Sequence, residues 1–302
     1  MSNRRELPKL LDWVCYILVR GLAGLLTYLP WKVSRGVADG LCRVFMLAHK
    51  QEKKERAVED VQKAFPGFSR SEAEEVVSGS YRTVFRTVVD GLQFRRHVTT
   101  NSWKHLVELR GEELLQECDG DKGIIFASGH FGSWELMGMA LGLHGYPVTT
   151  VVRPVGSPLL DTYLRALRQA GGQKVVNRHR ALRRALRELG AGRHMGFLMD
   201  QDARKKGVFV NFMGRPASTQ PSVARLSIHT GAPVAFGYAC ECDDAPRFRV
   251  EISDVIWPRP DADEEDEIFR ITQRITHDLE QLVRKCPDKA VETALELFDP
   301  TE

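Results

Sequence analysis

Several common signatures are missing from this sequence. It has no Gly-x-Ser-x-Gly stretch, which excludes the strand–nucleophile–helix elbow of α/β-hydrolases. It has no His-Glu-x2-His spacing and no run of oxygen ligands like a calcium loop. Its six cysteines, at 15, 42, 118, 240, 242 and 286, are scattered, and no Cys-x2-Cys pair occurs. Only Cys240 and Cys242 are close, and an alternating strand would put both on one face. That pattern points to reduced thiols in a cytoplasmic compartment rather than a disulfide framework or a zinc site. A net charge of +3 is too small to argue for a nucleic-acid partner. No internal repeat and no low-complexity linker is visible. What remains is a chain of 302 residues, 43% hydrophobic and 27% charged, long enough to bury a large core.

The chain is organised around Gly123-Ile-Ile-Phe-Ala-Ser-Gly-His-Phe-Gly-Ser-Trp-Glu135. Ile124 to Ala127 form a short continuous apolar run, the pattern of a buried strand, which Ser128 and Gly129 break. Helical spacing then runs from Phe131 through Leu136, Met137, Ala140 and Leu141, and Gly145 and Pro147 close it. His130 therefore sits at the carboxyl end of a strand, where open α/β sheets bind ligands. Glu135 follows about one and a half helical turns later. On one rigid element, the imidazole can take a proton from a hydroxyl while the carboxylate orients it.

The N-terminus is the one long apolar run. Leu10 to Leu29 is about the length of a membrane span, with Arg4, Arg5 and Lys9 before it and Lys32 and Arg35 after it. Lys9, Asp12, Tyr16, Arg20 and Thr27 share one narrow helical face. Arg20 near mid-span costs roughly 3 kcal/mol on the insertion scale, and ten aliphatic residues at about −0.5 each offset it. The pattern predicts a membrane anchor whose polar stripe faces the enzyme or the headgroups, with a buried core helix as the alternative.

The next residues, to about 100, read as helices, with a capping box expected at Ser71-Glu-Ala-Glu74. Beyond them, strands are predicted at 105–109, 123–127, 147–152, 174–176, 195–199, 207–212, 233–241 and 247–256. Helices are predicted at 112–118, 132–144, 158–170, 180–190, 219–230 and 264–285. This alternation predicts an α/β fold with a mixed, mostly parallel sheet flanked by helices. The expected organisation is a membrane helix at 1–32, a helical region packed on the core at 33–100, and an α/β core at 101–302.

Other candidate residues fall at strand ends. Arg153 follows the strand at 147–152 and could clamp a phosphate or an oxyanion. Backbone donors of the turn from Gly129 to Gly132 could share that work. Asp200 ends the strand at 195–199; with Asp202 it reads as a turn cap or as a metal ligand. Phe209 and Phe212 read equally as an apolar rim or as strand packing. Arg178 to Arg187 is the most basic stretch, with Leu182, Ala185, Leu186 and Leu189 expected to face inward. Its outer face fits an acidic carrier protein, anionic headgroups or a phosphorylated acceptor.

His130-Phe-Gly-Ser-Trp-Glu135 resembles the His-x4-Asp/Glu motif of the lysophospholipid/glycerolipid acyltransferases. More narrowly, the chain resembles the bacterial lipid A biosynthesis (lauroyl/myristoyl) acyltransferases. Four further blocks agree in order: Val152-Arg-Pro154, Met199-Asp-Gln-Asp202, the run from Gly207 to Ala217, and Thr230-Gly-Ala-Pro-Val234. The resemblance implies a membrane-associated O-acyltransferase at the bacterial inner membrane, facing the cytoplasm. Its donor would be an acyl thioester of acyl carrier protein or CoA, its acceptor a hydroxyl of a lipid A precursor. No cofactor or metal is implied. His130 and Glu135 would be catalytic, Asp200 would support the catalytic site without metal, and Gly132, Arg153, Asp200, Gln201, Phe209 and Phe212 would bind substrate. The partners implied are a membrane lipid and acyl carrier protein, with no nucleic acid. The C-terminal run from Cys286 to Phe298 departs from the aromatic, basic tail of many relatives. That keeps another glycolipid or a lysophospholipid open as acceptor. A metal-dependent hydrolase using His130, Glu135, Asp200 and Asp202 is the alternative of a different class.

Overall fold

The computed structural model describes residues 8–98, 102–118, 120–152, 154–170, 172–177, 181–242 and 247–290. Four helices come first: α1 (Lys9–Tyr28), α2 (Trp31–Ala48), α3 (Gln51–Ala64) and α4 (Arg70–His97). The capping box of α4 lies two residues earlier than predicted. Ser69 is its N-cap, with the Glu72 carboxylate accepting from the Ser69 backbone N–H at 2.7 Å. Ser69/Glu72 and Ser71/Glu74 both satisfy the four-residue pattern, and the helix uses the first.

After a short α5 (Trp103–Leu106), strands and helices alternate: β1 (Val107–Arg110), α6 (Glu112–Gln116), β2 (Ile125–Ser128), α7 (Trp134–Leu143), β3 (Val148–Val152), α8 (Pro158–Ala170), β4 (Lys174–Asn177), α9 (Ala181–Gly190) and β5 (His194–Leu198). Then follow β6 (Val208–Phe212), β7 (Arg215–Thr219), α10 (Ser222–Thr230), β8 (Val234–Glu241), β9 (Phe248–Ile256) and α11 (Glu264–Lys285). Asp263 caps α11 by accepting from the N–H groups of Glu265 and Asp266.

The main sheet has seven strands in the order β1-β9-β8-β2-β5-β3-β4. The run from β8 to β4 is parallel throughout. β9 is antiparallel to β8, and β1 is parallel to β9, so these two form a reversed edge. The fold is thus α/β with a mixed, mostly parallel sheet flanked by helices. β6 and β7 form a separate antiparallel hairpin. β7 was not predicted; Gly214-Arg-Pro216 reads as a turn, and the following residues as the start of a helix.

Each face of the sheet buries its own apolar layer. Ala127, Met195 and Phe236 pack with Leu226 of α10 and with Ile271 and Ile275 of α11. Phe126, Val148 and Ala235 pack with Leu136, Ala140 and Leu141 of α7. All four residues of β2 are buried, as befits a central parallel strand. The N-terminal helices join this core directly: the rings of Trp31 and Phe94 lie 5.3 and 6.0 Å from that of Phe248.

Candidate active site

Strand register builds the centre of the site. β2 and β5 pair with Ile125 opposite Met195 and Ser128 opposite Leu198, an offset of 70 residues. The same offset, carried two residues past both strand ends, sets His130 beside Asp200. The Asp200 carboxylate holds the histidine twice. One oxygen lies 2.8 Å from Nδ1, and the other accepts from the His130 backbone N–H at 2.5 Å. A carboxylate only accepts, so Nδ1 carries the proton and Nε2 keeps its lone pair. Asp200 is fully buried, whereas the His130 side chain is one-fifth exposed. Burial pulls the His130 pKa down. The hydrogen bond and charge of Asp200, helped by the charge of Glu135, outweigh burial and leave the imidazole above its usual value.

Glu135, expected to orient the imidazole, does not hydrogen-bond to it. In the structure Glu135 forms a bidentate pair with Arg168 of α8, at 2.9 and 2.5 Å. Being close in sequence does not make it the imidazole's hydrogen-bond partner; the neighbouring strand supplies that partner instead. The four residues of the metal alternative do not converge either. Asp202 accepts from the Arg204 N–H at 2.7 Å. Among the described residues, no group of three or more His, Cys, Asp or Glu side chains converges as metal ligands would.

The turn carrying His130 is fixed from several directions. Gly132 has φ +54°, and a Cβ there would lie 2.4 Å from the carbonyl oxygen of Ala239 in β8. Its N–H donates to the Lys289 carbonyl at 3.0 Å, and the Ser133 N–H donates to Ala239 at 2.9 Å. The Phe131 N–H is used within the turn, by Gly129. The backbone donors from His130 to Ser133 are therefore already engaged within the protein. From α4, the Thr87 hydroxyl donates to the Gly132 carbonyl at 2.9 Å. Asp90, three residues on, is buried and receives the Arg35 guanidinium at 3.1 and 2.8 Å. Ser133 Oγ lies 3.4 Å from the same carboxylate. Burial pushes the Asp90 pKa up, against the opposing pull of Arg35.

His130, Glu135 and Gln201 line a cavity of about 800 Å³. Its walls are mostly apolar: Phe126, Val148, Thr150, Gly196 and Leu198 from the strands, Met137 and Leu141 from α7, Leu164 from α8, and Leu182 and Ala185 from α9. Arg165 and Arg168 also line it. Asp200 lies behind the imidazole and Gly132 lies in the clamp. Arg153 lies outside the described residues. Phe212 is 1% exposed and packs in the core, while Phe209 on the opposite face of β6 is 61% exposed. Neither lines the cavity, since strand alternation sends one inward and the other to solvent. Leu182, expected to face the core, is 59% exposed at the cavity. Arg168, Thr87 and Asp90 escaped the sequence reading. The charge of Asp90 between Val89 and Leu92 was the available signal.

A histidine whose Nδ1 is held by a buried carboxylate beside a mostly apolar cavity has the geometry of a general base next to a site for a hydrocarbon chain. Comparison with known proteins narrows the class. The chain belongs to the bacterial lipid A biosynthesis acyltransferase family, whose model matches residues 1–289. It is similar to a lipid A biosynthesis acyltransferase of Haemophilus influenzae, 24% identical over 273 residues that cover 88% of this chain and 82% of the relative. The protein is an acyltransferase, and its family acts in lipid A biosynthesis. Among the described residues, α1 is the one helix long and apolar enough to cross a membrane by length and composition. That helix and this family are consistent with membrane association.

Proposed function

We propose that the protein transfers a fatty acyl chain from the thioester of acyl carrier protein or CoA to a hydroxyl of a lipid A precursor, at the cytoplasmic face of the bacterial inner membrane. The observation that carries this reading is the His130–Asp200 pair at the edge of the apolar cavity. With Nδ1 committed to Asp200, Nε2 takes the proton of the acceptor hydroxyl. The oxygen attacks the thioester carbonyl, forming a C–O bond. The tetrahedral intermediate collapses with cleavage of the C–S bond, and the departing sulfur takes the proton back from Nε2. The apolar walls suit an acyl chain, with Arg168, held by Glu135, and Arg165, held by Asp161, lining the same cavity. Exposed Arg183 and Arg187 flank Leu182 on α9, where an acidic carrier would bring its thioester to the cavity.

His130→Ala tests the reading. Turnover with a lipid A precursor and an acyl thioester should fall by roughly 100-fold or more, with the circular-dichroism spectrum of the fold retained although the unfolding midpoint drops, because Asp200 is left buried without its imidazole partner. Near-normal turnover would refute the mechanism. Mass spectrometry of the product, with a lysophospholipid offered in competition, identifies the acceptor.

A further inference from the structure

Helix α1 is long and apolar enough to cross a membrane, yet contacts with α4, α8 and the residues around them hold it from Asp12 to Leu26. Near its start, Asp12 is buried and accepts from the Ser157 hydroxyl just before α8. The Arg20 guanidinium lies 4.5 Å above the centre of the Tyr163 ring of α8. Near its end, Ala23 and Leu26 pack with Val89 and Leu92 of α4. The Leu26 carbonyl accepts from Ser34 Oγ at 2.8 Å and from Gln93 Nε2 at 2.5 Å. These anchor points fall on one arc of the helix and stretch over about 21 Å of its length. The opposite arc carries Leu10, Ile17, Leu18 and Leu25, all exposed, Leu18 to 67%.

We infer that α1 is an in-plane membrane helix held on the catalytic domain, not a transmembrane span, and that its outward apolar arc seats the enzyme on a lipid surface. A span would carry Asp12 and Arg20 away from Ser157 and Tyr163 into hydrocarbon, where ionisable groups need partners. Lying in the interface, the helix keeps every one of these contacts and sinks its apolar arc about 5–10 Å into the boundary of headgroups and chains. The adjoining α2 extends the surface with exposed Val33, Val44 and Leu47. Exposed Lys32 and Arg43 suit anionic headgroups. The arrangement also serves the cavity. α8 separates α1 from it, with Tyr163 and Leu167 packed toward α1 while Leu164 and Arg168 line the cavity. A lipid acceptor in the same leaflet thus needs to cross only one helix's width to reach His130.

The inference rests on membrane association, and its test reads topology rather than turnover. Protease-cleavable tags are fused to both ends of the full chain, and sealed membrane vesicles of each orientation are treated with protease. In-plane docking predicts that both tags are cleaved in the same vesicle population and protected in the other. Cleavage of the two tags in opposite populations shows a span and overturns the inference, leaving membrane association intact. Recovery of active enzyme in the soluble fraction overturns the inference and the membrane reading together, while leaving acyl transfer standing.

Discussion

In an Asp200→Asn variant the side chain keeps its shape but loses one acceptor. Asp200 now accepts twice from His130, at the backbone N–H and at Nδ1. An asparagine has one carbonyl oxygen and one NH2 group. If the oxygen keeps the backbone N–H, the NH2 faces Nδ1 and drives the proton to Nε2, where the lone pair is needed. The same wrong-tautomer change in the Ser-His-Asp triad lowers kcat by about 10,000-fold. A general base without correct orientation costs about 100-fold at least. The variant should therefore lose between these limits, roughly 3–5 kcal/mol of barrier. The pH profile gives an independent readout. Asp200 raises the His130 pKa, so the rising limb of kcat/KM should move to lower pH in the variant. Stability follows the same linkage. The folded pKa of His130 is raised, so the pair's contribution is complete below the unfolded pKa and is lost as pH rises through the folded value. That dependence should disappear with asparagine. The assay is acyl transfer in detergent micelles from pH 5 to 9, with unfolding midpoints measured alongside. Near-normal turnover with an unmoved limb would refute the argument.

Arg168→Ala should raise KM more than it lowers kcat, and Arg168→Lys should rescue poorly, because a lysine cannot reproduce the bidentate fork on Glu135; steady-state kinetics of both variants decide this. Gly132→Ala combines a positive φ with a Cβ 2.4 Å from the Ala239 oxygen, and should lower stability by roughly 1–3 kcal/mol and turnover with it, as read by chemical unfolding. Reversing Arg183 and Arg187 to Glu should change stability by only about 0.5 kcal/mol. It should raise KM for a carrier-bound donor in a salt-sensitive way while sparing a small thioester. Equal losses with both donors would count against carrier docking.

Much of this fold was legible because its elements announce themselves locally. The buried strand at 125–128 and the helix after it show as a change of apolar period, and that change also located His130. The partner of His130 was not legible, because pairing with Asp200 is a matter of strand order. β5 lies beside β2 although β3 and β4 come between them in the chain. Glu135 looked the better partner only because it is near in sequence. The hairpin of β6 and β7 hid for another reason. Pro216 argues against a strand, but it pairs opposite Asn211 in a two-stranded ribbon, where a missing N–H is tolerated. In β6, Phe209 and Phe212 differ by three positions, so alternation alone put them on opposite faces.

The loop that carries His130 makes few contacts with itself and many with distant segments. Thr87 of α4 holds Gly132, and Asp90 with Arg35 of α2 stands behind Ser133. Ala239 of β8 accepts from Ser133, and Lys289 from Gly132. Glu241 then ties these supports to one another, pairing with Arg35, Arg86 and Lys289. Removing one member of a buried pair such as Asp90–Arg35 typically costs about 3–5 kcal/mol, because the other charge is left unpaired. The N-terminal helices are therefore more than a platform for membrane contact. They reach the residue next to the α7 N-terminus, in the turn that carries His130. The placement of His130 rests on two constraints: the β2–β5 register, which sets Asp200 beside it, and the clamp from α4, β8 and Lys289, which holds its loop against that partner.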